Sequence, residues 1–504
     1  MPRSLRLLLA FASGTALAFA FPPFNLGLLA WISVALLLGV TLGVRRHTAL
    51  ACGFAHGVAF YLFSVPWIYT VMRVHGGLGR LEAGGVFAAM VGALALFPAA
   101  FGFAVSHLAR HSPARACAAS PFLWVALEFA RCHLPALGFP WNLLGYAGAL
   151  HLGLLQLAAV TGIYGLSFVL AAFNALIAWA FMVRSRRSFL FGAVGTAIAV
   201  SGVLVGDQFV PRERPEQVAA LVQTNFPESP EYPPDWMDQH AGEMDELEQL
   251  SIRSAQSVHG ITVWPEVPAP FYWQDPKFSA RMGAIARATG NHVLTGIVDW
   301  KPAADGRLLP YNTAILVDRL GHRVFSYDKI HLVPFGEYVP LRRWLTFAEK
   351  LTAEVGDFQS GTVYAVGEIP GGRFGVSICY EAIFPDQMRH YAANGARLLI
   401  NLSNDGWFGG SAAAEQHLAM ARVRAAENHR WLLRATNTGL TASVDPYGRV
   451  VALLQPDVRG ALAAPYGFRG DLTLYTRWGD WFAYLCVAAA LTVLIGTTLQ
   501  RKKE

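Results

Sequence analysis

Apolar residues are spaced in two different ways along this chain. Apolar runs of nearly 20 residues, the length a helix needs to cross a hydrocarbon core, recur at about 5–21, 26–44, 49–72, 84–108, 116–131, 153–183 and 188–206, and an eighth runs over 481–499. Between Arg131 and Arg184 there is no Asp, Glu, Lys or Arg, so that stretch reads as one span plus an apolar loop. From about 217 the pattern changes to short β-branched runs separated by helical segments. Strands are expected at 217–224, 260–264, 292–298, 312–318, 322–327, 373–378, 397–402, 431–436 and 440–445, and helices at 236–257, 276–288, 383–393 and 412–429. The expected fold is a polytopic α-helical membrane bundle of eight spans joined to one large α/β domain with its own core. The expected domains are 1–206 with seven spans, 207–480 as the α/β domain, and 481–504 as the eighth span and tail.

Composition sharpens this division. With 54% hydrophobic and 15% charged residues and a mean hydropathy of +0.36, the 504 residues exclude a disordered chain, a coiled coil and a purely soluble enzyme. Residues 1–206 hold 12 Arg, no Lys and only two acids, Glu82 and Glu128, while the remainder holds 28 basic and 32 acidic residues. The net positive charge therefore sits among the apolar runs, and nucleic acid is not an expected partner. Arg and Lys resist translocation, so their distribution sets orientation. With the N-terminus inside, Arg3, Arg6, Arg45, Arg46, Arg110, Arg115, Arg184, Arg186, Arg187, Arg501, Lys502 and Lys503 fall on inner segments, against Arg73, Arg80 and Arg131 outside. This puts the hydrophilic domain on the outer face and both termini inside. The first run also resembles a secretory signal ending in Ala18-Phe19-Ala20, but the charge asymmetry persists through the later spans. Glu128, the one acid inside an expected span, reads either as a functional group or as an ion pair with Arg131 one turn away.

Cys52, Cys117, Cys132, Cys379 and Cys486 show no metal-ligand spacing, and neither a disulfide framework nor a metal is expected. Only Cys379 lies in the hydrophilic part. It closes the strand Val376-Ser377-Ile378 and is followed by Tyr380-Glu381. Two other segments place reactive groups at strand ends, where α/β folds build their sites. They are Val263-Trp264-Pro265-Glu266 and Tyr327-Asp328-Lys329 through Val333-Pro334-Phe335-Gly336-Glu337. Singly, each group has an ordinary structural reading: a solvated Glu, a solvated Lys, a core Cys.

Together, in the order Glu, Lys, Cys, these segments resemble the nitrilase superfamily, whose enzymes carry such a triad in an α-β-β-α sandwich. A domain of that kind set between seven spans and one more is similar to the family of bacterial apolipoprotein N-acyltransferases. The similarity extends to Asn401-Leu402-Ser403-Asn404-Asp405-Gly406-Trp407-Phe408. The resemblance implies Glu266 as general base, Lys329 as stabiliser of an oxyanion and Cys379 as nucleophile. A thiol reacts once deprotonated, which a carboxylate can achieve while a lysine holds the charge that appears on the carbonyl oxygen. Glu337 is expected beside Glu266, where a second carboxylate raises the pKa of one of the pair. Glu381 is expected to position Lys329 or a loop, Tyr380 to shape the mouth, and Asn404, Asp405 and Trp407 to line the site or hold its loops. Trp236, in an exposed Pro-rich loop, matches a lid tryptophan of the family.

The implied activity is ping-pong acyl transfer through a Cys379 thioester, without cofactor, by a monomer integral to the inner membrane with its catalytic domain in the periplasm. A phospholipid is the donor, and the α-amine of an N-terminal S-diacylglyceryl-cysteine on an apolipoprotein is the acceptor. Two alternatives share parts of this reading: a membrane-anchored amidase that releases the acyl group to water, and a non-catalytic scaffold or transporter.

Overall fold

The computed structural model describes every residue except 135–137, 184, 230–231, 257, 259, 335, 339–357 and 502–504. Expectations for Arg184, Phe335, Lys502 and Lys503 therefore lie outside the described residues. The chain forms two compact units, one made of 1–69, 79–210 and 478–504, the other of 70–78 and 211–477.

The first unit is helical. Four of its helices are long and apolar enough to cross a membrane: Arg80–Ala109, Ile163–Val183, Arg186–Phe209 and Trp481–Leu499. Arg46–Ser64 and Trp67–Val74 add a fifth if the pair, bent by 57°, is one span. Among the described residues, four or five helices thus stand where eight spans were expected. The run at 5–21 yields a helix of 16 residues, Arg3–Ala18. The run at 26–44 breaks into a 3-10 turn and the nine-residue helix Ser33–Thr41. Pro113–Cys132 is 20 residues long, but Arg115, Glu128 and Arg131 dilute its apolarity. The charge-free stretch turns at Gly162, whose φ of 65° favours glycine, and its long helix begins only at Ile163. Glu128 and Arg131 take separate partners. The Glu128 carboxylate accepts from Trp124 Nε1 at 3.0 Å and from the Leu144 N–H at 2.7 Å, while Arg131 donates to the Trp141 carbonyl at 3.1 Å.

The second unit is built on two six-stranded sheets. The strands are β1 (Gln217–Gln223), β2 (Ile261–Val263), β3 (His292–Pro302), β4 (Leu308–Val317), β5 (Arg323–Asp328), β6 (Val366–Ile369), β7 (Gly372–Ile378), β8 (Leu398–Ser403), β9 (Trp431–Thr436), β10 (Thr441–Val444), β11 (Val450–Leu454) and β12 (Gly460–Tyr466). One sheet runs β12-β1-β2-β3-β4-β5 and the other β11-β10-β9-β8-β7-β6. In both, the central pairs are parallel, β1 with β2 and β2 with β3 in one, β7 with β8 and β8 with β9 in the other.

Strand alternation sorts the side chains into two cores. Ala219, Leu221, Leu294, Ala314 and Leu316 face the second sheet and pack with Phe374, Val376, Ile378, Ile400 and Leu433. Their neighbours Val222, Val293, Ile315 and Val317 face outward, onto Met244, Leu247, Phe278, Met282 and Ile285 of the helices Ala241–Ala255 and Pro276–Thr289. Met388, Tyr391, Leu418, Ala421 and Ala425, from the helices Pro385–Ala393 and Ala413–Asn428, join the first core. All nine expected strands and the four helical segments are present, the first helical segment divided at His240. β6, β11 and β12 were not expected.

Candidate active site

Glu266 follows β2, Lys329 follows β5 and Cys379 follows β7, so three strand ends deliver the groups singled out in the sequence. Glu266 is held by an approach of backbone to backbone. A Cβ on Gly296 of β3 would stand 2.8 Å from the Glu266 Cα and 2.8 Å from the Val267 nitrogen, so only glycine lets Pro265–Val267 lie there. The Gly296 N–H donates to the Pro265 carbonyl at 3.1 Å.

Lys329 is buried between two carboxylates. Its Nζ donates to Glu266 Oε1 and to Glu337 Oε1, each at 3.0 Å. Asn312 of β4 bridges the same two oxygens, donating from Nδ2 to Glu266 at 2.8 Å and to Glu337 at 2.9 Å. The free oxygens are engaged by backbone: Glu266 Oε2 accepts from Asn404 N–H and Glu337 Oε2 from Val333 N–H, both at 2.8 Å. Burial by itself favours the neutral amine, but Glu266 and Glu337 outweigh it and hold the Lys329 ammonium well above the ordinary lysine value.

Cys379 opens the 3-10 turn Cys379–Ile383 with φ at 50°, a left-handed conformation that costs a non-glycine residue on the order of 1–3 kcal/mol. Hydrogen bonds fix the strained peptide. The Cys379 carbonyl accepts from His417 Nε2 at 3.1 Å and from Asn401 Nδ2 at 3.4 Å. Burial pushes the thiol up, Glu266 adds to the shift and Lys329 opposes it, so the resting sulfur carries its proton.

Glu381 ties the lysine segment to the cysteine turn. Its Oε1 accepts from Tyr327 Oη at 2.7 Å and from the N–H groups of Ile330 and His331 at 2.7 and 3.1 Å, and its Oε2 accepts from Ile378 N–H at 2.7 Å. One buried carboxylate thus holds the backbone just after Lys329 and just before Cys379. Tyr380 packs its ring edge-on against Phe384, centroids 5.0 Å apart. Trp407 is half-buried and meets the ring of His75, a residue of the same unit, at 5.1 Å. Trp236 departs from the exposed loop expected for it. It is 6% exposed, stacks on His240 with centroids 4.2 Å apart and packs against Phe226 and Phe271, because the aromatic residues around it form a core of their own.

Several groups of the site were not foreseen. Arg434, inside β9, forms a buried ion pair with Asp405 at 2.7 Å and donates to His417 Nδ1 at 3.1 Å. With Nδ1 accepting from Arg434, His417 presents its Nε2–H to the Cys379 carbonyl. Burial and the Arg434 charge lower the His417 pKa and keep the ring neutral. Asn437 donates to Asn404 Oδ1 at 3.1 Å and to Glu228 Oε1 at 3.2 Å. Burial pushes the Glu228 carboxyl up to about 7, with the Asn404 and Asn437 amides opposing and Glu266 adding to the rise. The signal available for these groups was a polar residue within an apolar strand, as in Trp431-Leu432-Leu433-Arg434, since a buried charge needs partners.

Comparison with known proteins adds the following. Residues 218–465 match the model of the carbon-nitrogen hydrolase family, and residues 13–176 match that of the apolipoprotein N-acyltransferase N-terminal domain. An apolipoprotein N-acyltransferase of Geobacter metallireducens is 36% identical, covering 96% of this chain and 94% of its own. One of Methylococcus capsulatus is 33% identical, covering 99% and 96%. Among solved structures, a nitrilase-superfamily amidase of Nesterenkonia is 23% identical, covers 55% of this chain and 98% of its own, and has a TM-score of 0.39.

Proposed function

This chain belongs to the apolipoprotein N-acyltransferase family, and from that premise we infer that it transfers a fatty acyl chain from a membrane phospholipid to the free α-amino group of the N-terminal S-diacylglyceryl-cysteine of an apolipoprotein. The observation that carries the mechanism is the buried lysine shared by two carboxylates, with the buried Cys379 delivered to the same set of strand ends.

Glu266 takes the Cys379 proton, and the sulfur attacks the acyl ester carbon of the phospholipid. As Glu266 becomes neutral, Lys329 loses one of its two anionic partners and its ammonium turns to the oxyanion forming on the carbonyl. Positioned donors of this kind contribute roughly 10²–10³ in rate each. Glu337 keeps the second contact and so holds Lys329 in place through the step. Collapse of the intermediate breaks the C–O bond, the proton passes from Glu266 to the departing lysophospholipid, and a thioester remains on Cys379. The acceptor amine then attacks the thioester and Cys379 leaves as a thiol. Glu381 keeps the lysine and cysteine segments in register, and Tyr380, Asn404 and Trp407 bound the opening through which the lipids enter. Trp236 packs on Phe226 and Phe271 and so holds the segment after β1 in place.

The long apolar helices of the first unit anchor the enzyme in the inner membrane, with the α/β domain in the periplasm and both termini in the cytoplasm. The arrangement divides the chain into spans within 1–206, a catalytic domain over 207–480 and a final span from 481. Anchoring raises the effective concentration of substrates dissolved in the same leaflet. The deciding experiment incubates the protein with labelled phospholipid and a diacylated lipopeptide bearing a free amine. N-acylated lipopeptide with release of lysophospholipid is expected. Free fatty acid without that product would replace this reading with the amidase one.

A further inference from the structure

Glu228 lies in the segment after β1 and plays no part in the steps above. Its Oε1 accepts from Asn437 Nδ2 at 3.2 Å, and that nitrogen also donates to the Phe226 carbonyl at 2.8 Å and to Asn404 Oδ1 at 3.1 Å. The amide orientation is fixed, since Asn437 Oδ1 accepts from Thr224 Oγ1 at 2.8 Å and Phe226 N–H at 2.9 Å. Two hydrogens therefore serve three acceptors, and the carboxyl has the longest contact of the three. Asn404 in turn gives its N–H to Glu266. Glu228 and Glu266 thus stand on one amide frame, the first half-buried and the second buried.

The titratable groups facing Glu228 are Glu266, from the loop after β2, and Tyr232, from its own segment. The turn Asp405–Phe408 backs it closely, since a Cβ on Gly406 would collide with the Glu228 carboxyl, and Asp405 of that turn is committed to Arg434. Arg459, the cation over the Phe226 ring, is paired with Glu243 and Glu246. Among the described residues no cation forms an ion pair with Glu228.

Proton balance gives this carboxyl a task. An α-amine with a pKa of roughly 7.7–8.0 is largely an ammonium ion at neutral pH. It must lose one proton before its lone pair can attack the thioester. A second leaves nitrogen as the C–N bond forms and the C–S bond breaks, and that one travels through Glu266 to the Cys379 sulfur. The first has no receiver in the triad: Glu266 is needed for the second, Lys329 is already charged, and the sulfur is acylated.

We propose that Glu228 is a further catalytic residue, confined to the second half-reaction, which binds the acceptor's α-ammonium group and takes its surplus proton. The N–H bond breaks, a carboxyl O–H forms, and the proton passes to solvent from the exposed side before the next turnover. An ionisation near 7 lets the group both take the proton and release it at neutral pH. The assignment rests on the acyl-transfer reading.

The test separates the two half-reactions in the full-length protein in mixed detergent–phospholipid micelles. The acyl-Cys379 adduct is formed first with labelled phospholipid, and a diacylated lipopeptide with a free amine is then added and the reaction quenched at intervals, from acid to alkaline pH. Glu228→Gln is expected to form the adduct as the wild type does, to transfer it roughly 10²-fold more slowly, and to exchange the step in the transfer rate near pH 7 for one that follows the amine's own ionisation at roughly 7.7–8.0. Glu228→Asp, which keeps a carboxyl, is expected to recover part of the rate and the pH step. Wild-type transfer rate and pH profile in Glu228→Gln would overturn the proposal, as would loss of the adduct itself in both variants. A wild-type protein that forms no adduct would instead overturn the acyl-transfer reading.

Discussion

At the level of single residues, Cys379 depends on groups far from it in sequence. His417 and Asn401 hold its carbonyl, and Arg434 holds His417 in the tautomer that can donate. Of the site, Glu266, Lys329, Glu337, Cys379 and Glu381 were singled out from sequence, together with Tyr380, Asn404, Asp405 and Trp407, because each lies in a recognisable string at or after a strand end. Asn312, Asn401, Asn437 and Glu228 were not, since an amide or acid of a loop or strand carries no signal of what it will face. His417→Ala is expected to lower kcat on the order of 10²-fold with little change in KM, because a misplaced nucleophile loses alignment and not substrate contact. His417→Gln, which keeps a donor, should recover part of the rate. Steady-state kinetics of the two variants check this, and equal losses in both would show that the hydrogen bond to Cys379 is not the reason.

Among the elements, the strands were read from β-branched alternation, and those that lacked it escaped. β12 is Gly-Ala-Leu-Ala-Ala-Pro-Tyr and β6 is only Val-Gly-Glu-Ile, and both owe their place to pairing, with β1 and β7 respectively. The contact between β3 and the Glu266 loop leads to a sharper expectation. Gly296→Ala would push the Pro265–Val267 backbone away and carry Glu266 with it, so acyl transfer should fall by about 10²-fold while secondary structure persists. Activity alongside circular dichroism tests that separation. The ion pair between β9 and the turn after β8 also contributes to stability. Arg434→Met leaves Asp405 buried without its cation and should cost about 3–5 kcal/mol in denaturant unfolding. Burial works against ionisation of Asp405, yet the Arg434 guanidinium holds its carboxyl well below the usual range. That stabilisation is complete above about pH 4 and is lost as pH falls through the lowered folded value. The variant and wild type should therefore converge in stability under acid.

For the molecule as a whole, hydropathy identified where apolar chain lies but not how it is cut into helices. Gly162 and the 57° bend after Ser64 divide stretches that composition alone reads as continuous. The α/β unit was legible because its strand and helix periods differ, and its site because the motif strings fall at strand ends. The account as a whole stands on Cys379 carrying an acyl chain between two lipid substrates. Intact-protein mass spectrometry after incubation with phospholipid alone, with no acceptor amine, addresses this directly. The wild-type protein should gain the mass of one acyl chain, mapped to Cys379, and Cys379→Ala should gain none. An unmodified wild-type mass, or the same added mass in Cys379→Ala, would contradict the account.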